Sequence, residues 1–252
     1  MKGIRTVAAL YDIHGNRTAL KAVLEEVAEL DVDMVVLGGD IAWGPHPSET
    51  IDIVRRSDTT IGISGNADRE LVGRHGMADG LDEEVATVNA WCADQLSSAQ
   101  LAWLADLPFS RSLGIAGVQT LFCHGTPRSD EEIVTSATPD DRLQETCAGV
   151  VERVVVCGHT HMQFDRRCGD RRIVNAGSVG LSYEDTAGAY WALIGRDIEL
   201  RRTPFDITET VAGFRSSGCP HVEEIFVNNL LDPPGREVTT AHFERVAESR
   251  RR

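Results

Sequence analysis

Short apolar runs alternate with helical patterns in the first third of the chain. The runs at residues 7–10, 33–37 and 60–63 have the length of buried strands, and each stops at polar residues. Between them, residues 18–30 carry apolar side chains at helical spacing, and residues 51–55 also have the pattern of a helix. Strands that alternate with helices predict βαβ units around a parallel sheet.

Later apolar runs continue the strand pattern. Residues 120–123 (TLFC) and 154–157 (VVVC) are predicted strands, and each is followed at once by a histidine. Residues 173–178 predict a strand that enters a turn, and residues 189–194 and 198–202 predict a closing hairpin. Polar residues after such strands are well placed for chemistry, because open α/β sheets bind ligands outside the carboxyl ends of their strands.

The rest of the chain is mainly helical in pattern. Residues 82–107 predict helices, with a break and a new helix start at residues 96–101. No repeat or low-complexity linker divides the sequence. We therefore predict one main domain at residues 1–205, with a mainly helical insertion at about residues 73–107, and a helical extension at residues 206–252 that packs on the same domain.

Composition and charge exclude some classes of function. The 252-residue chain is 42% apolar and 25% charged, which is ordinary for a globular protein. Its formal net charge is −14. Nucleic acids and anionic lipids are polyanions, so we expect no non-specific binding to either. This argument applies to the whole surface only, since a metal site can reverse the field locally.

Cysteine usage and apolar segment length indicate a cytoplasmic protein. The six cysteines are scattered and none is at C-x-x-C spacing, so we expect no disulfides. The N-terminal residues lead directly into a predicted strand and have no signal-peptide pattern. Because no apolar stretch approaches the ~20 residues of a membrane helix, we expect no membrane attachment.

Five polar clusters lie at the ends of five apolar runs. They are Asp12-Ile13-His14-Gly15-Asn16, Gly38-Gly39-Asp40, Gly65-Asn66-Ala67-Asp68, His124-Gly125 and Gly158-His159-Thr160-His161. Any one of them alone could be a turn or a packed histidine. Alternate residues of an extended segment point the same way, so D-x-H and H-x-H can each aim two donors into one site. Together, these carboxylate, amide and imidazole donors predict a site for divalent transition metals.

The order and spacing of these clusters resemble the calcineurin-like metallophosphoesterases, whose pattern is D-x-H, G-D, G-N-H-[DE], H and G-H-x-H. The match spans residues 12–161. D-x-H-G-N, together with N-x-G-S-V-G at residues 175–180, is similar to the small bacterial and archaeal phosphodiesterase and phosphatase branch. The resemblance implies an α/β fold, a four-layer αββα sandwich of two facing mixed β-sheets, with a dinuclear metal site at the C-terminal ends of the strands.

The resemblance also implies the metal ligands. One ion would be held by Asp12, His14 and His161, the other by Asn66, His124 and His159, and Asp40 would bridge both. Two divalent ions per chain are expected, with Mn²⁺ favoured and Fe, Zn and Ni as alternatives that suit the same donors. The implied function is metal-dependent hydrolysis of phosphodiester or nucleotide-type substrates, by direct in-line attack of a hydroxide that bridges the ions.

Further site residues follow from the same resemblance. The implied catalytic residues are Asp40, His124 and Arg128, and the implied substrate-binding residues are Asn16, Arg128 and Trp43. An arginine at position 128 could bind phosphate through two hydrogen bonds. Trp43 lies in the loop after Asp40, where it could stack a nucleobase. The other three tryptophans, Trp91, Trp103 and Trp191, are expected in the core.

Two departures from the family pattern bear on chemistry. Ala67 replaces the histidine that many members have after the motif asparagine, although members of the narrower branch commonly lack it too. One hypothesis is that His46 or His75 substitutes; full activity in a variant with both changed to alanine would reject it. The second motif also lacks the later Asp and Arg of G-D-x-x-D-R-G, which argues against a serine/threonine protein phosphatase.

Two other functions remain open from the sequence. The first is a phosphomonoesterase or dinucleoside polyphosphate hydrolase that uses the same site. The second is a catalytically weak metal-binding scaffold, which is disfavoured because every expected ligand is present. The expected partner is a small phosphorylated or nucleotide substrate, and the oligomeric state is left open.

Overall fold

Ten strands form two five-stranded sheets in the computed structural model, which describes residues 3–251. Residues 1, 2 and 252, at the ends of the two predicted units, lie outside the described residues. In chain order the strands are β1 (Val7–Leu10), β2 (Met34–Leu37), β3 (Thr60–Gly62), β4 (Ser110–Ile115), β5 (Val118–Cys123), β6 (Val154–Cys157), β7 (Phe164–Cys168), β8 (Arg171–Asn175), β9 (Ala189–Ile194) and β10 (Ile198–Thr203).

Both sheets are mixed. The first has the order β10-β9-β1-β2-β3, and the second has the order β4-β5-β6-β8-β7. The central strands β1, β2 and β3 are parallel, as are β5, β6 and β8. β9 and β10 form the antiparallel hairpin that the sequence predicts, and β4 and β7 are antiparallel edge strands of the second sheet.

Nine α-helices are present among residues 3–251. They are α1 (Arg17–Ala28), α2 (Pro47–Val54), α3 (Asn66–Gly73), α4 (Glu83–Gln95), α5 (Ser98–Ala105), α6 (Asp140–Thr146), α7 (Ile207–Ser216), α8 (Asn228–Leu231) and α9 (Arg236–Arg250). A 3₁₀ turn at Met77–Asp79 precedes α4, and a π-helical turn at Glu223–Val227 leads into α8. The predicted helix start near residue 97 is confirmed, because the Ser97 side chain caps α5.

Apolar side chains hold these elements in four layers. Alternate residues of a strand face opposite sides, so Val36 packs with Phe122 between the sheets while Leu37 packs with Leu20 of α1 on the outside. On the outer face of the second sheet, Leu143 of α6 packs against the strands. The predicted αββα sandwich of two facing mixed sheets is therefore confirmed.

Tyr11 joins the two sheets directly before the first polar cluster. Its ring is fully buried between them, and its hydroxyl donates a hydrogen bond to the Val156 carbonyl oxygen at 2.9 Å. A Cβ atom at Gly38 would lie 2.0 Å from this ring, and one at Gly158 would lie 2.5 Å from it. These two glycines let the ends of β2 and β6 approach Tyr11, which draws the polar clusters of both sheets together.

Some elements differ from the sequence prediction. β4, β7 and α6 were not predicted, because the two edge strands carry exposed polar side chains and α6 has only seven residues. Trp191 is fully buried as expected. Trp91 and Trp103 are only partly buried against the helical layer, so their predicted role as core anchors is too strong.

Polar and aromatic contacts attach the C-terminal helices to the sandwich. Glu244 of α9 accepts a hydrogen bond from Arg142 at 3.1 Å, and the hydroxyls of Thr135 and Thr138 donate to the same carboxylate. The division of the chain at residues 205 and 206 stays a prediction.

The six cysteines are buried and unpaired. Within residues 3–251, every helix is too short or too polar to span a membrane.

Candidate metal centre

Backbone hydrogen bonds join the loops that follow the strands. The His14 N–H donates to the Asp40 carbonyl oxygen at 3.0 Å, which pairs the first and second clusters. The Gly158 N–H donates to the His124 carbonyl oxygen at 2.8 Å, which pairs the fourth and fifth. Neighbouring loops are therefore paired at the carboxyl ends of their strands, β1 with β2 and β5 with β6.

Five of the predicted ligands have a left-handed backbone. They are Asp12, His14, Asp40, His159 and His161, with φ between 47° and 66°. Only eight non-glycine residues among residues 3–251 have a positive φ, so most of these conformations are concentrated at the centre. The expected reason for D-x-H and H-x-H, alternation along an extended segment, is therefore wrong. Left-handed turns direct both pairs, at a cost of about 1–2 kcal/mol for each residue.

The side chains of five predicted ligands converge. The Nε2 atoms of His14 and His161 are 3.1 Å apart, and His161 Nε2 is 3.3 Å from Asp12 Oδ1. His124 Nε2 lies 3.3 Å from Asp40 Oδ2 and 3.7 Å from Asp12 Oδ1. Two groups of three could each hold a cation, since their donor atoms lie within 4.8 Å of one another: Asp12, His14 and His161, and Asp12, Asp40 and His124.

This arrangement compares closely with the two predicted ligand sets. The first group contains the three side chains predicted for one ion. The second contains Asp40 and His124 as predicted, and it adds Asp12, whose Oδ1 atom belongs to both groups. The resemblance implied that Asp40 alone would be shared by the two ions, whereas in the structure Asp12 also belongs to both groups of donors.

Asn66 and His159 lie beside these groups. The His159 ring is 5.3 Å from the His124 ring, and its backbone N–H donates to Asp12 Oδ2 at 2.9 Å. Asn66 is the first residue of α3, and its Oδ1 atom is buried. Both residues are partly exposed. Their role as ligands of the second ion stays a prediction.

Three histidines present the same ring nitrogen to the centre. In each, Nδ1 lies within hydrogen-bond distance of a backbone carbonyl oxygen. The pairs are His14 with Trp43 at 3.1 Å, His124 with Gly38 at 2.8 Å and His161 with Leu181 at 2.6 Å. Because a carbonyl can only accept, Nδ1 carries a proton and Nε2 is the nitrogen that can face a cation. Such a partner fixes the ring orientation that metal-binding histidines need.

The buried charges of the centre are strongly coupled. Burial lowers the pKa of His14 and of His159 to about 4, so both imidazoles are neutral near pH 7. Burial also acts against charge on His124, but the Asp40 and Asp12 carboxylates outweigh it and raise the pKa of His124 to about 10. In return, and against the effect of burial, the His124 imidazole holds the pKa of Asp40 well below its usual range.

Unpaired buried atoms show that these residues fit a metal. Asp12 Oδ1, Asn66 Oδ1 and His124 Nε2 are buried and have no hydrogen-bond partner among residues 3–251. A buried polar atom without a partner costs about 1–3 kcal/mol. All three atoms belong to predicted ligands, and a divalent ion would satisfy them.

A comparison with protein families identifies the family of this chain. The family model for the calcineurin-like phosphoesterase superfamily domain matches residues 6–194, which include all five polar clusters. The chain belongs to the calcineurin-like phosphoesterase superfamily. It is therefore a hydrolase of phosphate esters, as the sequence predicts.

Known proteins are similar to this phosphoesterase in sequence or in fold. An uncharacterised protein of Methanocaldococcus jannaschii is 24% identical over 222 residues, which cover 80% of this chain and 88% of the relative. The crystal structure of a hypothetical protein from Pyrococcus horikoshii has a TM-score of 0.80 at 20% identity, covering 92% and 99% of the two chains. That of a metallophosphoesterase from Sphaerobacter thermophilus has a TM-score of 0.74 at 24% identity, covering 92% and 100%.

The phosphoesterase uses two predicted substrate-binding residues in its own packing. Asn16 caps α1, where Oδ1 accepts from the Ala19 N–H and Nδ2 donates to the Gly180 carbonyl oxygen. Trp43 is only 7% exposed and lies between the rings of His14 and Phe226. Substrate binding by Asn16 and Trp43 stays a prediction that this packing does not support.

Arg128 is held away from the clustered ligands. Its guanidinium group donates to the Glu132 and Glu145 carboxylates and is 45% exposed. It lines a surface cavity of about 470 Å³ together with Arg250, and none of the seven predicted metal ligands lines that cavity. A catalytic or phosphate-binding role for Arg128 would require this guanidinium to leave its two carboxylates.

The histidines proposed to replace the one missing at position 67 lie elsewhere. His46 precedes α2 and is only 6% exposed, and its ring packs against that of Phe214. His75 follows α3, and the contacts of neither side chain among residues 3–251 reach a predicted ligand. Ala67 itself contributes through its backbone, because its N–H donates to Asp40 Oδ1 at 2.8 Å.

Two acidic residues that support the centre were not predicted. Asp68 accepts hydrogen bonds from the backbone N–H groups of Ile41 and Gly65, at 2.9 and 3.1 Å, and so ties the second and third loops together. Burial and the Asp40 charge raise the pKa of Asp68 to about 7. Glu70 accepts a hydrogen bond from Asn66 Nδ2 at 3.3 Å, which leaves Asn66 Oδ1 as the free atom. The motif G-N-A-D gave a sequence signal for Asp68, whereas Glu70 lies outside it and had none.

Replacing Glu70 with leucine is expected to weaken the binding of one of two Mn²⁺ ions about 10-fold, because the Asn66 amide loses the acceptor that orients it. Glu70→Gln is the matched control, since its amide oxygen can still accept from Asn66 Nδ2. Calorimetric titration of metal-stripped protein measures both affinities. Equal affinities in the leucine variant and the wild type would contradict this role for Glu70.

Proposed function

We propose that this phosphoesterase is a metal-dependent phosphodiesterase that acts on small phosphodiester or nucleotide-type substrates. The observation that carries the proposal is the convergence of two buried carboxylates and three Nε2 atoms on one site. Two of these donor atoms, Asp12 Oδ1 and His124 Nε2, have no hydrogen-bond partner among residues 3–251. The seven residues predicted as ligands of two ions remain the proposed site. A cytoplasmic location remains part of the same proposal.

In each carboxylate of the centre, one oxygen is held by a backbone N–H and the other faces the histidines. Asp40 Oδ1 accepts from the Ala67 N–H, which leaves Oδ2 to face His124 and His14. Asp12 is fixed in the same way, because Oδ2 accepts from the His159 N–H and Oδ1 faces the imidazoles. When bound, two divalent ions would supply the positive charge that holds an anionic phosphate and the Lewis acidity that makes a water nucleophilic near neutral pH.

The charge of the centre explains how an acidic protein can bind an anionic substrate. The Asp12 and Asp40 carboxylates carry two negative charges, and they are buried where a phosphate alone would be repelled. Two divalent ions exceed this charge, so the field at the centre would become positive while the rest of the surface stays negative. Substrate binding is therefore expected to depend on metal loading.

The proposal is tested by the hydrolysis of bis-p-nitrophenyl phosphate and p-nitrophenyl phosphate. We expect metal-stripped protein to be inactive and added Mn²⁺ to restore turnover, with faster hydrolysis of the diester. A higher rate on the monoester would replace the proposal with a phosphomonoesterase. Protein that binds two ions but turns over neither compound with Mn²⁺, Ni²⁺, Zn²⁺ or Fe²⁺ would be a metal-binding scaffold.

A further inference from the structure

Tyr183 lies against one of the histidines of the centre. Its ring is stacked on that of His161, with centroids 4.7 Å apart and an angle of 21° between the planes. The Tyr183 N–H donates to the His161 carbonyl oxygen at 3.2 Å, and the Leu181 carbonyl oxygen faces His161 Nδ1 at 2.6 Å. Residues 181–183 therefore fix the His161 ring at Nδ1 and across one face, and they place a phenol beside the centre.

The hydroxyl of Tyr183 differs from those of the other two tyrosines. Tyr11 donates to the Val156 carbonyl oxygen at 2.9 Å, and Tyr190 donates to the Thr186 carbonyl oxygen at 2.8 Å. The Tyr183 hydroxyl has no hydrogen-bond partner among residues 3–251, and the side chain is partly exposed. A phenol hydroxyl that has no partner in the described protein and lies beside a predicted metal-binding histidine is available to a ligand.

The cations nearest the motifs are already paired. Arg128 is bound by Glu132 and Glu145. Arg69 donates to Asp130 and Glu131, and Arg17 donates to Glu49, so both arginines form surface ion pairs. A substrate phosphate at the centre therefore needs hydrogen-bond donors of another kind, and a neutral phenol supplies one without a competing carboxylate.

We propose that Tyr183 is a substrate-contacting residue whose hydroxyl donates a hydrogen bond to a phosphate oxygen of the substrate. This inference rests on the proposed function. It gives the substrate phosphate a protein contact on the side of the centre formed by His161, which neither the family motifs nor the predicted substrate-binding residues supply.

The C-terminal helices hold Tyr183 in place. The Asn229 side chain of α8 donates to the Ser182 carbonyl oxygen at 2.9 Å, and Arg236 of α9 forms an ion pair with Glu184 at 3.3 Å. The Phe243 ring of α9 lies 6.2 Å from the Tyr183 ring. The residues on both sides of Tyr183 are thus anchored by the predicted extension, which gives that extension a part in substrate recognition.

The test compares Tyr183→Phe with the wild type in Mn²⁺-loaded protein. We expect the variant to bind two Mn²⁺ ions normally but to bind inorganic phosphate about 10-fold more weakly, because it loses one hydrogen bond to a charged group. Its kcat/KM on bis-p-nitrophenyl phosphate should fall by a similar factor. Tyr190→Phe is the matched control, since it loses a hydroxyl that is bonded within the protein, and it should leave phosphate affinity unchanged.

The outcomes separate this inference from the proposed function. Wild-type protein that binds phosphate without any turnover would overturn the proposed function, while the phosphate affinities would still decide the role of Tyr183. Equal phosphate affinity and kcat/KM in Tyr183→Phe and an active wild type would overturn the inference alone. Loss of a metal ion from Tyr183→Phe would overturn it too, since Tyr183 would then act by positioning His161. Wild-type protein that neither binds phosphate nor turns over the diester would overturn both.

Discussion

Asp40→Asn is expected to lower kcat/KM on a phosphodiester by at least about 10³-fold, on the order of 4 kcal/mol. The asparagine has the size of the aspartate, and its amide oxygen can still accept from the Ala67 N–H. What it removes is the negative charge at Oδ2, which faces His124 at 3.3 Å and His14 at 3.8 Å. Without this charge the proposed centre would bind two cations more weakly.

The matched control for this variant is Asp58→Asn, which makes the same chemical change at an exposed position. Steady-state kinetics with saturating Mn²⁺ gives kcat/KM for the three proteins, and circular dichroism shows whether each is folded. The control should be fully active. A folded Asp40→Asn protein with more than a tenth of wild-type kcat/KM would remove Asp40 from the proposed catalytic residues.

The apparent affinity for Mn²⁺ is expected to rise with pH, by about 10-fold for each unit between pH 6 and pH 8 as far as His124 contributes. The pKa of His124 is raised to about 10 in the metal-free protein by Asp40 and Asp12, against the effect of burial, so the imidazole is protonated across this range. The ion must displace that proton. His14 and His159 have a pKa of about 4, so they are already neutral and add nothing to the slope.

Calorimetric titrations at pH 6, 7 and 8 measure this dependence, in buffers of different ionisation enthalpy that count the protons released. Any proton lost from a bound water adds to the slope in every variant. His124→Gln therefore serves as the comparison, and its plot of log affinity against pH should be less steep by about one. If both proteins gave the same slope, a proton on His124 would not be what the metal replaces.

The sequence was sufficient to predict the central strands of both sheets because buried parallel strands leave a clear local signal. Residues 7–10 and 154–157 are continuous apolar runs, and both are buried strands in the structure. The edge strand β7 has no such signal, since its middle residues are charged and two of them are exposed. The central strands could be predicted from local patterns and the four layers from the family resemblance, whereas the edges of the second sheet depend on contacts with distant segments.

The candidate ligands were also visible in the sequence, but what supports them was not. Spacing places Asp12 and His14 after one strand, yet it gives no indication that both adopt a left-handed φ or that Asp12 Oδ1 is shared between two groups. The partner of His161 Nδ1 is the carbonyl oxygen of Leu181, and no residue type marks a carbonyl. Tyr183 was missed for a similar reason, since its position beside His161 depends on tertiary packing.

The left-handed ligands have a consequence for efforts to make this protein more robust. A glycine would adopt these backbone angles freely, whereas aspartate and histidine there lose stability that the apo fold must recover elsewhere. Computational redesign that rewards stability alone would therefore favour replacing the very side chains on which hydrolysis is proposed to depend. Heat-tolerant versions of the enzyme are better sought on the exposed face of α9, whose side chains have few buried contacts. In this chain, the trade-off between stability and activity involves the backbone angles of the five left-handed ligands.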